Sequence, residues 1–135
     1  MSAQAIQIEI VNQLDTNETG TAQFRNCTTI TTNNNASGQF IANIVCRRIS
    51  DGATQGWNVA MCYKNINGVV QAQIANQTYT KTIILGTSAD KTALSATDVN
   101  FAPDGPNLQC QVKGLLSTPM IWTAIIIGSE VYSMP

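Results

Sequence analysis

The sequence predicts an all-β fold, an antiparallel β-sandwich of jelly-roll-like type with about eight or nine strands. Three observations predict it. Short runs of β-branched and aromatic residues recur at the roughly 8–12-residue spacing of a sandwich or barrel. Runs of Gly, Asn, Asp, Pro and Ser separate them. No segment carries an apolar period of helical length. At 135 residues the chain reads as a single β domain over 1–135, long enough to bury a core.

The most apolar stretch, Met120 to Ser133, reads MIWTAIIIGSEVYS. Both parities are apolar, which predicts a strand covered on both faces, with Trp122 and Ile125 in the core. Its consecutive isoleucines favour a strand, because β-branched side chains fit a pleated surface and lose rotamer freedom in a helix. We expect it to be the central strand. At the other end, Ile6, Ile8 and Ile10 share one face of QAIQIEIV, with Gln7 and Glu9 on the other. Residues 1–13 are therefore an edge strand or an arm lying on a neighbouring subunit.

Thr21 to Thr31 is the next expected strand, and Thr31 to Gly38 a loop in which Gly38 supplies a positive φ. Gln39 to Ile49 follows, with Phe40 in the core. After the turn at Ser50 to Gly56, Trp57, Val59, Met61 and Tyr63 alternate on one face, Trp57 in the core. Asn67-Gly68 signals a type I′ hairpin. Val69–Ala75 and Thr78–Gly86 are expected strands, Thr87–Thr92 a small-residue loop, and Ala93–Phe101 a strand. Ala102 to Asn107 is a turn, after which Leu108, Cys110 and Val112 alternate with polar residues.

Charge narrows the function classes. The net charge of −1 predicts neither a nucleic-acid nor a membrane partner. Charged residues are 11%, against the roughly 25% usual in globular domains. Such a surface suits a protein that meets other proteins over much of its area, since interface cores are depleted in charge. No secretory signal and no membrane-spanning stretch is visible. The N-x-S/T triplets at Asn17, Asn26, Asn35 and Asn76 read as chance in a chain rich in Asn and Thr.

The chain has no histidine, which excludes Ser-His-Asp and Cys-His catalysis and imidazole-based metal sites. No cofactor, metal site or enzymatic activity is expected. A carboxylate pair, Asp98 with Glu130, is the one hydrolytic arrangement left to test. Cys27, Cys46, Cys62 and Cys110 form no CxxC motif and read as reduced core thiols. The alternative is a Cys46–Cys62 bridge across a hairpin. Trp57, Tyr63, Tyr79, Trp122 and Tyr132 are either core residues or a sugar-stacking platform, with Trp57 and Trp122 assigned to the core.

The segments GWNVAMCYKNINGVV and TALSATDVNFAPDGPNLQCQVKGLLSTPMIWTAII resemble small β-structured virion proteins of tailed bacteriophages. Leu108, Val112 and Gly114, then Ile121, Trp122, Thr123 and Ala124, carry the likeness, which covers roughly residues 38–131. The resemblance implies a structural virion protein made in the host cytoplasm, either a capsid cement or decoration protein or a tail-fibre tip. Its partners would be the major capsid protein or other virion proteins, and copies of itself, with a trimer expected. In the capsid reading Ile6, Ile8, Ile10 and Val11 make the contact, and deleting residues 1–13 abolishes binding but leaves the fold intact. The alternative is a carbohydrate-binding module. Asn33, Asn34, Asn35, Asp51, Asn65, Asn67, Asp104 and Asn107 would then read a glycan from loops, or serve simply as turn formers.

Overall fold

Alternation along each strand becomes two packed layers. The computed structural model describes residues 2–72, 80–85 and 87–134. In chain order these form β1 (Ser2–Thr16), β2 (Arg25–Thr31), β3 (Ala36–Arg48), β4 (Thr54–Ile66) and β5 (Val69–Gln71). Then come β6 (Thr80–Leu85), α1 (Ser88–Ala93), β7 (Asp98–Asp104), β8 (Asn107–Lys113) and β9 (Met120–Met134). The larger sheet runs β1-β9-β3-β4-β5, with β6 also on β4, and the smaller runs β2-β8-β7. Every named strand pair is antiparallel. The pairings of β1 with β9 and β2 with β8 nest as in a rolled ribbon, while β3, β4 and β5 continue as a meander.

The core lies between the sheets. Trp57 of β4 stacks on Trp122 of β9 at 5.6 Å, and Phe40 of β3 meets Phe101 of β7 at 5.1 Å. Leu108, Cys110 and Val112 close it from the smaller sheet. The Trp122 indole N–H donates to Thr16 Oγ1 at 2.9 Å, so the one polar atom of that ring is satisfied where water cannot reach.

Turn chemistry sets the hairpins. Asn67 and Gly68 take φ of 54° and 86° between the paired residues Ile66 and Val69, a two-residue loop with the left-handed angles of type I′. Gly105, at φ 57°, starts the Gly105-Pro106 turn between β7 and β8. In the loop before β3 the left-handed residue is Asn35, at φ 54°, rather than Gly38. Gly38 lies within β3 opposite Tyr63, whose ring occupies the space a Cβ would need.

Other expectations need correcting. Thr87–Thr92 is not a plain loop: Thr87 caps the short helix α1, its Oγ1 accepting from the Asp90 N–H at 3.1 Å. The strand expected over Ala93–Phe101 begins only at Asp98. The expected strands Val69–Ala75 and Thr78–Gly86 fall partly outside the described residues, as does Tyr79.

Ile125 is not a core residue. β9 pairs along its whole length with β1 on one side and from Met120 to Tyr132 with β3 on the other, but only its inner face is covered. Met120, Trp122, Ala124 and Ile126 point inward, so Ile121, Ile125 and Ile127 point out. Nor do Cys46 and Cys62 face each other. The register sets Cys46 opposite Gln55 and Cys62 opposite Gln39, and all four thiols are free. Cys62 is exposed, whereas Cys27, Cys46 and Cys110 are buried.

Candidate functional site

The two outer faces of the sandwich differ in kind. On the smaller sheet Asn100, Gln109 and Gln111 point outward among charged and amide neighbours. They bond to one another: Asn100 Nδ2 donates to Gln111 Oε1 at 3.3 Å and Gln111 Nε2 to Gln109 Oε1 at 3.2 Å. That is an ordinary solvated face. The larger sheet instead presents Val11, Ile41, Val45, Ile84, Ile121, Ile125 and Ile127, with Val11 67% and Ile127 51% exposed.

Register builds this patch. Val11 pairs with Ile125, and Ile127 lies between Glu9 and Ile41. Thr123 lies between Gln13 and Val45, and Ile84 sits beside Gly56. Cross-strand partners share a face, so these side chains form one continuous surface. Two shallow hollows of about 350 Å³ each indent it. One lies among Ile41, Ala60 and Ile127, beside Gly128; the other among Val45, Gly56, Ile84 and Ile125. The charges stand at the margins. Glu9 and Asp15 are on the edge strand β1, and Arg47 and Lys64 lie toward opposite ends of β3 and β4. Within the apolar stripe Asn58 Nδ2 donates to Asn43 Oδ1 at 2.9 Å, beside Ile125, so the face is a mostly apolar surface that carries one amide pair.

The expected contact residues of β1 do not act together. Ile8 is buried in the core at 8% exposure, and Ile10 packs against it. Ile8 is therefore unavailable as a capsid contact: it faces the smaller sheet because Gln7 and Glu9 take the outward parity. Ile6, 40% exposed, is on the same inward parity near the sheet end, and Val11 alone joins the outer patch.

The loop residues gather at one end of the sandwich, apart from Asp51. Gln71 and Val69 return beside the Asn67 turn, and the Val70 N–H donates to Gly105 O at 2.8 Å, linking it to the Asp104–Asn107 turn. Thr32 N–H reaches Pro106 O at 3.0 Å, adding the Asn33–Asn35 loop. These residues largely bond one another. Asn65 is buried, donating to Thr32 Oγ1 at 2.8 Å and accepting from the Gly68 N–H at 2.9 Å. It is a turn-holding side chain and not a glycan contact. Asn35 Oδ1 accepts from the Asn67 N–H at 3.0 Å. Asn34 is exposed at the tip. Asp51 lies at the opposite end, in the β3–β4 turn, paired with Arg48 at 2.6 Å. That guanidinium and the Ala53 N–H hold the Asp51 carboxyl down at about 2.

Asp98 and Glu130 are not brought together. Asp98 borders an open cleft with Gln55 and Trp57, whereas Glu130 bonds Tyr63, six residues along β4. At about 3.3 Å per residue the separation is roughly 20 Å, more than the paired-carboxylate geometries of glycosidases. Glu130 is buried and accepts from Tyr63 Oη at 2.5 Å and from the Asn33 N–H at 3.2 Å. Burial, and then the adjoining Glu130 carboxylate, push the Tyr63 phenol far up, so it stays a donor. A second buried carboxylate, Glu18, takes bonds from Arg25 Nε at 3.1 Å and Nη2 at 3.0 Å, which lower its pKa. Among the described residues no group of His, Cys, Asp or Glu is arranged to hold a metal ion.

No family model matches the chain, and neither does any curated protein. Among solved structures the chain is similar to the tailspike protein of Acinetobacter baumannii phage AM24, at 11% identity and a TM-score of 0.45. The alignment covers 95% of this chain and 26% of the tailspike chain, so this chain spans about a quarter of that protein's length.

Sequence reasoning missed the outer patch, although its signal was present. A strand apolar on both parities needs two covering layers, and an antiparallel sandwich supplies one.

Proposed function

We propose that this chain is a non-catalytic structural domain of a virion that works by surface contact through the outer face of its larger sheet. The observation that carries the contact role is the difference between the two outer faces. One is an amide network, and the other carries exposed isoleucine and valine across β1, β9, β3 and β6 around a single Asn43–Asn58 amide pair. Large exposed apolar patches with polar rims mark interaction sites. The resemblance carried by Leu108 to Ala124 supplies the virion setting. Within it, a capsid cement or decoration protein is the reading we favour, acting as a symmetric oligomer whose many weak contacts add up on a lattice.

Counting this chain against the major capsid protein in purified particles by quantitative mass spectrometry tests the reading. A count comparable to the capsid protein supports a cement or decoration role. A few copies per particle move the contact role to a tail, where the exposed Asn34 and Asn67 become the first residues to probe on a glycan array. Absence from particles overturns the virion setting.

A further inference from the structure

We infer that the free edge of β1 docks a second copy of this chain: the two β1 strands pair antiparallel across a two-fold axis at Ile8, and the two larger sheets become one. This rests on the symmetric-oligomer part of the proposed function and names the contact that builds the oligomer.

The edges of the two sheets are not alike. β2, one edge of the smaller sheet, has a register shift between Asn26 and Thr28, and β7, its other edge, carries Pro103. On the far side of the larger sheet β5 has three residues and β6 has six. Bulges, proline and short length are devices that keep a sheet edge from pairing with another chain. β1 has none of them. It runs for 15 residues in one unbroken register with β9 and contains no Gly, Pro, Lys or Arg. Its two charges, Glu9 and Asp15, are on the outward parity and leave the edge itself clear. Among the described residues no strand pairs with its other side. A row of main-chain N–H and C=O groups therefore stands open along roughly 50 Å of strand.

The sequence of β1 names the occupant, because it fits its own reverse. Ile6-Gln7-Ile8-Glu9-Ile10 reads nearly the same in both directions about Ile8. An antiparallel pair centred there sets Ile8 against Ile8 of the partner subunit and Ile6 against Ile10 of the partner subunit. These contacts lie on the core side, where Ile6 is 40% exposed in the single chain. On the outer side Gln7 meets Glu9 of the partner subunit, an amide donor against a carboxylate, and Ala5 meets Val11 of the partner subunit. Other centres fit worse. Centring the pair at Glu9 sets two carboxylates directly opposite each other, and like charges so placed are destabilising. Centring it at Ile10 sets Ile8 against Asn12 of the partner subunit. The register at Ile8 pairs residues 2–14 of each copy through about 12 main-chain hydrogen bonds, as many as a typical interface carries. Strand addition draws its affinity from such bonds rather than from area. The contact is isologous, so a two-fold dimer replaces the trimer expected from the resemblance.

Sedimentation velocity of the full chain across micromolar concentrations and oxidative cross-linking test this together, with a thermal melt of each variant to confirm folding. The chain should sediment as a dimer. Cys62→Ser first removes the exposed thiol. In that background an oxidised mixture of the Gln7→Cys and Glu9→Cys variants should cross-link about threefold more than either variant alone, because directly opposed residues lie within disulfide reach. Gln7→Glu should weaken dimerisation by about threefold or more, since it sets two carboxylate pairs in opposition, and Gln7→Glu/Glu9→Gln should restore it. Gln7 and Glu9 are exposed, so these changes leave the core alone. A monomer, a trimer, a mixture that cross-links no better than its components, or a double variant no better than Gln7→Glu overturns the inference. A chain found on particles yet monomeric in isolation defeats this inference alone. A dimer with the expected cross-link that is absent from particles defeats only the virion setting.

Discussion

Trp122 joins the core and the edge of the larger sheet through one side chain. It stacks on Trp57 and donates to Thr16, the last residue of β1. Trp122→Ala should cost about 3–5 kcal/mol, the range for large core truncations, read from urea midpoints. A loss below about 1 kcal/mol would mean that the neighbouring side chains collapse into the space. Glu18 makes a different prediction, in pH. Arg25 lowers its pKa below the ordinary 4.5. The stabilisation is therefore complete above that value and is lost as pH falls through the lower folded value. Glu18→Gln should flatten the acid limb of stability against pH while changing its shape little above pH 6 or so. An unchanged acid limb would show that other carboxylates carry it. The thiols separate by burial. Burial pushes Cys46 up to about 11 and raises Cys27 and Cys110, so a thiol reagent on the folded chain should modify Cys62 alone, counted by mass.

Elements carry their own consequences. β1 is a 15-residue edge strand bonded to β9 from Ser2 to Thr16, with Ile8 in the core. An arm that can be removed without harm is not what this register describes. Deleting residues 2–13 should cost several kcal/mol and lower the melting midpoint by roughly 10 °C, because it exposes the core under Ile8 and frees an edge of β9. A melt unchanged by the deletion would restore the arm. Gly128 of β9 is fixed by its neighbours, since a Cβ there would run into Gln39 O and the Phe40 backbone. Such close approach between backbones is a reason for a glycine inside a strand.

At the scale of the whole molecule, function turns on which of two outer faces is finished. The smaller sheet ends in amides that satisfy one another, and the larger ends mostly in half-exposed isoleucine and valine side chains, with one amide pair, Asn43 and Asn58, among them. Covering them would remove this apolar surface from water, the main favourable term in association. The loop end with its asparagines is by contrast internally bonded, which leaves Asn34 and the rim of the Asn67 turn as its free chemistry.

The sequence by itself determined the fold class, most of the strands, the Asn67-Gly68 hairpin, and the burial of Phe40, Trp57 and Trp122. These follow from local rules: a period of two, β-branched side chains, and turns that need left-handed angles. Only the tertiary structure decided that Ile125 faces outward, that Ile8 faces inward, that Asn65 is buried, and that Asp98 and Glu130 lie far apart. It also decided that Cys46 and Cys62 lie on opposite faces of one hairpin. Each of these depends on which strand lies beside which and in what register. Alternation places a residue on one side of its strand but does not say what, if anything, covers that side.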